Sequence, residues 1–122
     1  MSAIAEITKV EAPTQSGAGE QVIVDVSVKN ISSVNPYNLA VTAEFDSTEI
    51  PFQFDYLLVS PGQTVVFRGN FTMPAKNVKV QVWGWYWSGT QWVFDDTVTK
   101  DIALSILMPE FSGFGITEYV KS

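Results

Sequence analysis

The 122-residue chain carries 13 acidic against 7 basic side chains, a net charge of −6, and is 46% hydrophobic and 13% aromatic. That length suits one domain, the apolar content argues against disorder, and the negative charge repels phosphate backbones, so no nucleic acid is expected as a partner. The absence of cysteine and histidine excludes a disulfide framework, thiolate chemistry, zinc held by His or Cys, and Ser-His-Asp or Cys-His triads.

In chain order, the opening residues Met1-Ser2-Ala3-Ile4-Ala5-Glu6 have neither the basic start nor the apolar run of a signal peptide. Residues 4–10 are a weak strand candidate. Residues 21–30 alternate strictly, with Val22, Val24, Val26 and Val28 on one face of a half-buried strand. The same period of two places Leu39, Val41, Ala43 and Phe45 together over 38–46, and the short 51–56 segment is a second weak candidate. Val65, Phe67 and Phe71 share a face over 64–72, as do Val78, Val80 and Val82 over 77–87. A last run over 91–104 puts Trp92, Phe94, Val98, Ile102 and Leu104 on one side. No segment approaches the roughly 20 apolar residues of a membrane-spanning helix, so no membrane insertion is expected.

Turn chemistry separates the runs. Gln15-Ser16-Gly17-Ala18-Gly19-Glu20 precedes the valine strand. Ser60-Pro61-Gly62-Gln63 has Pro and Gly where the central positions of a type II turn want them, and Ser88-Gly89-Thr90 forms a short hairpin loop. With no period of 3.6 anywhere, the expectation is an all-β, immunoglobulin-like sandwich of about seven strands with Greek-key topology. Its core is Val22, Val24, Val26, Val28, Leu39, Val41, Phe67, Val78, Val80 and Val82. The domain spans 1–107, and 108–122 form a C-terminal β-forming extension or arm.

An ordered set of short motifs runs through 3–104. Ala12-Pro13 and Gly19-Glu20 stand before the valine strand, which closes on Val28-Lys29-Asn30. Ser60-Pro61-Gly62-Gln63-Thr64 and Phe71-Thr72-Met73-Pro74 follow, and the set ends in Trp83-Gly84-Trp85-Tyr86-Trp87-Ser88-Gly89-Thr90-Gln91-Trp92-Val93-Phe94-Asp95-Asp96. This set resembles the CARDB-type immunoglobulin-like domains of prokaryotic surface proteins and some virus structural proteins. The resemblance implies adhesion, spacing or assembly and no particular ligand, because function belongs to sites rather than folds.

The chemistry left open by composition is a carboxylate pair or a Ser-Lys pair. Asp95 and Asp96 are adjacent, and adjacent strand residues point to opposite faces, so they do not flank one substrate as a glycosidase pair would. They read instead as solvated or hydrogen-bonded at a bend in the last strand. Asp95, Asp96 and Asp101 are a weaker calcium candidate without the spacing of an EF-hand. No catalytic residue, metal or cofactor is therefore assigned, and the chain is read as non-enzymatic. Asn30-Ile31-Ser32 and Asn70-Phe71-Thr72 match the glycosylation sequon, and no modification is assigned to them.

Trp83, Trp85 and Trp87 are the sharpest feature, since alternation places them opposite Val78, Val80 and Val82. They are packed under a covering element, or they form a protein interface or a glycan platform. In the arm, Phe111, Phe114, Ile116 and Tyr119 suit an added strand, in this domain's own sheet or in a neighbour's. The expected function is a structural or assembly module of a virion or cell surface, one that docks or forms a homo-oligomer or larger assembly. Carbohydrate binding or adhesion through the tryptophan face is the alternative. The expected location is virion or extracellular.

Overall fold

A computed structural model of the protein describes residues 3–105. They form nine strands: β1 (Ala5–Glu11), β2 (Gln15–Ser16), β3 (Gln21–Asn30), β4 (Tyr37–Phe45), β5 (Thr48–Glu49), β6 (Leu57–Val59), β7 (Thr64–Thr72), β8 (Val78–Trp87) and β9 (Trp92–Leu104). Two of the nine are two-residue edge pieces, which accounts for the excess over seven. The first sheet has the order β1-β3-β7. The second has the order β2-β9-β8-β4-β5, with β6 also paired to β4. The chain crosses from the first sheet to the second after β1, after β3 and after β7, as in an immunoglobulin-like sandwich. Residues 106–122, which contain the arm residues Phe111, Phe114, Ile116 and Tyr119, lie outside the described residues.

Alternation builds the core as the sequence implies. All ten expected core side chains are buried, and Val22, Val24, Val26, Val28, Leu39, Phe67, Val80 and Val82 are fully so. Each such Val, Leu or Phe contributes roughly 1.5–3 kcal/mol relative to exposure. Phe45 and Phe71 close one end with ring centroids 4.5 Å apart. The 51–56 segment is not a strand: only Phe52 makes an isolated bridge, to Gly69.

Turns and corners follow their residues. Gly62 has φ +79° and the Gln63 N–H donates to Ser60 O at 3.1 Å, the type II arrangement of Ser60-Pro61-Gly62-Gln63. Asn30 is fully buried where β3 ends. Its Nδ2 donates to Asn35 O at 3.0 Å and Val59 O at 2.8 Å, and its Oδ1 accepts the Ser32 N–H. The first sequon asparagine is therefore a corner pin with its amide occupied, and a glycan has no access to it.

The main departure is in β9. The register of β8 against β9 shifts between Gly84 and Trp85, because Gly84 faces Asp96 while Trp85 faces Phe94. Asp95 is the extra residue of a β-bulge, and a bulge reverses which side the following residues face. Ile102 is consequently buried and Val98 and Leu104 pack on the core, whereas Trp92 and Phe94 are exposed on the outer side. The run over 91–104 does not share one face.

Candidate functional site

The bulge also decides what the two adjacent aspartates do. The Asp95 carboxylate is buried and accepts three backbone N–H groups, from Ala3 at 2.8 Å, Ile4 at 2.7 Å and Ala5 at 2.6 Å. Asp96 accepts the Ile7 N–H at 2.8 Å and the Thr97 N–H at 2.9 Å. Both therefore turn toward β1 rather than to opposite faces, and they bind β1 of the first sheet to β9 of the second. Beside this joint the Ile7 side chain of β1 packs close on Gly84, where an added Cβ would sit 3.3 Å from Ile7 Cγ1. The hydrogen-bonded reading of the pair holds, and neither oxygen pair is arranged around a cleft. Asp101 lies near the far end of β9 opposite Lys79, 3.6 Å from its Nζ, so the three aspartates do not converge on a cation.

The candidate site is the outer face of the second sheet. Trp83, Trp85 and Trp87 point away from buried Val78, Val80 and Val82, as alternation requires, and are half-buried. Trp85 is the hub. Its Nε1 donates to Thr42 Oγ1 at 2.8 Å, and its ring meets Phe94 edge-on with centroids 5.9 Å apart. Trp87 meets Trp92 at 5.4 Å, and Tyr56 packs on Trp92 at 6.0 Å. These geometries are the edge-to-face and tilted contacts that aromatic quadrupoles favour. Trp85 thus packs on Phe94 and Trp87 on Trp92, and the 50–56 loop walls one side through Tyr56 without covering them.

Three shallow depressions run together along this face. The first, about 450 Å³, lies among Thr42, Glu44, Glu49, Trp83, Trp85 and Phe94. The second, about 460 Å³, shares Thr42 and Trp85 with it and adds Ala40, Asp55, Tyr56 and Trp92. The third, about 230 Å³, continues past Tyr56 and Trp92 to Asn38 and Trp87. The lining is aromatic with a few hydroxyl, amide and carboxylate groups, which suits stacking and hydrogen bonding rather than bond-breaking chemistry.

Sequence reasoning found the three tryptophans of β8 and missed Trp92, Phe94 and Tyr56. Trp92 and Phe94 share parity with the buried Ile102, and only the bulge separates them. The sequence signal was the pair of carboxylates side by side in the middle of an otherwise alternating strand. Tyr56 comes from a loop that only the tertiary fold brings onto the sheet.

Solved structures share this architecture. The PKD domain of an M14-like peptidase from a Thermoplasmatales archaeon is similar at 15% identity with a TM-score of 0.58, over 85% of this chain and 98% of that one. The CARDB domain of a Pyrococcus furiosus protein, in complex with di-metal ions, is similar at 16% identity with a TM-score of 0.60, over 84% of this chain and 90% of that one. At such identities the likeness is one of fold, and the chain has the immunoglobulin-like sandwich fold that the sequence resemblance to CARDB-type domains implies. No protein-family model matches the chain, and no curated protein matches it. The di-metal ions belong to the Pyrococcus protein. Among the described residues here, no three Asp, Glu, His or Cys side chains come together as a metal site requires.

Proposed function

We propose that this domain is a non-enzymatic module that docks on another macromolecule through the outer face of its second sheet, as part of a virion or cell-surface assembly. The observation that carries the proposal is the clustering of Tyr56, Trp92 and Phe94, 54%, 38% and 50% exposed, around the half-buried Trp83, Trp85 and Trp87. Exposed apolar patches of this kind are rare on monomers and mark contact surfaces, where Trp and Tyr supply most of the binding energy. The non-enzymatic part is supported by Asp95, whose buried carboxylate is engaged by the backbone N–H groups of Ala3, Ile4 and Ala5 and does not face a depression. A glycan is the second reading, supported by the polar groups of Asn38, Thr42 and Asp55 interleaved with flat rings. The arm carrying Phe111, Phe114, Ile116 and Tyr119 is proposed as a separate contact between subunits.

The test compares wild type with a Trp92→Ala/Phe94→Ala variant, by light scattering for assembly and on a glycan array for recognition. The variant should fold and lose at least about tenfold in affinity in whichever assay registers binding. Undiminished binding would reject the face. Truncation after Pro109 examines the arm: unchanged mass at matched concentration would remove it as a subunit contact.

A further inference from the structure

The aromatic face carries a feature that neither packing nor alternation calls for. In the β4–β5 hairpin, Glu44 and Glu49 are directly opposed cross-strand partners. The tight turn between them is held by Asp46 and Ser47, both at left-handed φ, +48° and +63°. Like charges placed opposite each other on a sheet are destabilising. Here they are left uncompensated: among the described residues neither glutamate is ion-paired, and Lys76, which binds at this hairpin, goes to Asp46 instead. Both glutamates line the first depression, together with the rings of Trp83, Trp85 and Phe94. Asp55, also without an ion pair among the described residues, lines the second beside Trp85, Tyr56 and Trp92. No Lys or Arg among the described residues lines any of the three depressions.

We infer that the occupant of this face is a cationic segment of a partner protein, an extended stretch with basic side chains on alternate positions. The inference rests on the docking reading above and names the partner's chemistry. An ammonium or guanidinium between the opposed glutamates would relieve their repulsion, and it would lie against indole faces, the best of the aromatic partners for a cation. The depression lined by Asp55 meets β4 at Thr42 and Ala40, two and four residues from Glu44 or roughly 7–13 Å along the strand, which matches the spacing of same-face side chains on one extended chain. A second copy of this protein fits less well. Two identical faces meeting about a twofold axis would set Glu44, Glu49 and Asp55 against a face that lines its depressions with no Lys or Arg, on chains of net charge −6.

The probes are a blocked (Lys-Thr)4 peptide, a blocked (Glu-Thr)4 peptide and cellohexaose, titrated against the full chain with tryptophan fluorescence. The Lys peptide should bind, and its affinity should fall as salt rises from about 50 to about 500 mM. Glu44→Gln/Glu49→Gln should weaken it about tenfold. Glu6→Gln/Glu11→Gln, which removes the same charge from β1, should change it less than about twofold and so separates the site from net charge. The Gln pair should also raise the melting temperature slightly, because it removes a repulsion. The inference is overturned if no Lys peptide binds, if the β1 pair has the same effect as the hairpin pair, or if cellohexaose or the Glu peptide binds as well as the Lys peptide. Trp92→Ala/Phe94→Ala keeps the two readings apart. If it weakens whichever probe binds while the glutamate variants do not, the docking face stands and the cationic partner falls. If it weakens none, both fall.

Discussion

The outward positions of the two sheets are set by the same alternation, and only the second sheet gathers aromatic rings on one part of them. On the first sheet, Asp25 of β3 faces Arg68 of β7 in a two-pronged ion pair, Nε to Oδ1 at 2.8 Å and Nη2 to Oδ2 at 2.9 Å. Gln21 Nε2 donates to Thr72 Oγ1, its own register partner at the far end of the pair of strands, and between them Ile23 faces Asn70, while Val66 faces Ser27. On the second sheet one end of the outer face is likewise polar, with Lys79 paired to Asp101 and Gln81 hydrogen-bonded to Thr97 and Thr99. The other end holds Trp83, Trp85, Trp87, Trp92 and Phe94, where among the described residues the β8 trio's one indole hydrogen bond is donated by Trp85 to Thr42. A polar pair that satisfies itself sits in water at little cost and asks for no partner. A cluster of rings keeps apolar area that only a further surface can remove from water. This contrast is the physical reason for proposing the outer face of the second sheet as the contact surface.

The comparison depends on the sheets being held in one relative position, and the largest expected effect is at the joint. Asp95→Ala would leave the N–H groups of Ala3, Ile4 and Ala5 without their acceptor, and should cost about 3 kcal/mol or more in urea unfolding. A loss under about 1 kcal/mol would mean that β1 is held by its pairing with β3 alone. Asp95→Asn should recover only part of this, since its amide N–H2 meets donors.

Next come the inner faces, where the sheets should behave alike. Val26→Ala in β3 and Val80→Ala in β8 each remove a fully buried side chain and should each cost on the order of 1–4 kcal/mol. A loss below about 0.5 kcal/mol at both sites would contradict the core assignment.

The outer faces should then part company. Trp85→Ala removes a half-buried ring and its bond to Thr42, and should lower stability by about 1–2 kcal/mol. Trp92→Ala should cost less than that in denaturation while weakening partner binding by about 2 kcal/mol, as for a contact hot spot. Equal stability losses at the two positions would mean that Trp92 belongs to the packing and not to the surface.

The smallest effect lies on the first sheet. The hydrogen bond from Arg68, with its nearby positive charge, holds the Asp25 carboxyl below the usual aspartate value of 3.8, against a weaker opposing push from burial. A carboxyl depressed in the folded state stabilises the fold above that value, and the contribution is lost as pH falls below it. The pair is open to solvent, so this contribution is small. Arg68→Ala should flatten that acid-side slope slightly and leave partner binding unchanged. A drop in binding would place the contact on the wrong sheet.

Most of the sandwich was legible in the residues. The strands over 21–30 and 64–72 have the predicted ends, because an unbroken alternation of valines with polar residues, closed by Gly and Pro turns, has one low-energy solution beside a core. The site was half legible. Trp83, Trp85 and Trp87 follow from parity against Val78, Val80 and Val82, whereas the opposition of Glu44 to Glu49 requires a two-residue turn with no glycine to announce it.

Composition and period two determined the all-β class, the ten core side chains and the exclusion of His- and Cys-based chemistry, because those depend only on which residues exist and which face of a strand they occupy. Beyond the Tyr56 loop and the β4–β5 turn, the tertiary structure decided the aromatic face at one residue. The β9 bulge at Asp95 holds its carboxylate against three N–H groups at the start of β1, those of Ala3, Ile4 and Ala5. That bulge turns Trp92 and Phe94 outward to complete the aromatic face. No local pattern contains this information, because the energy that sets it comes from groups some ninety positions away in the chain.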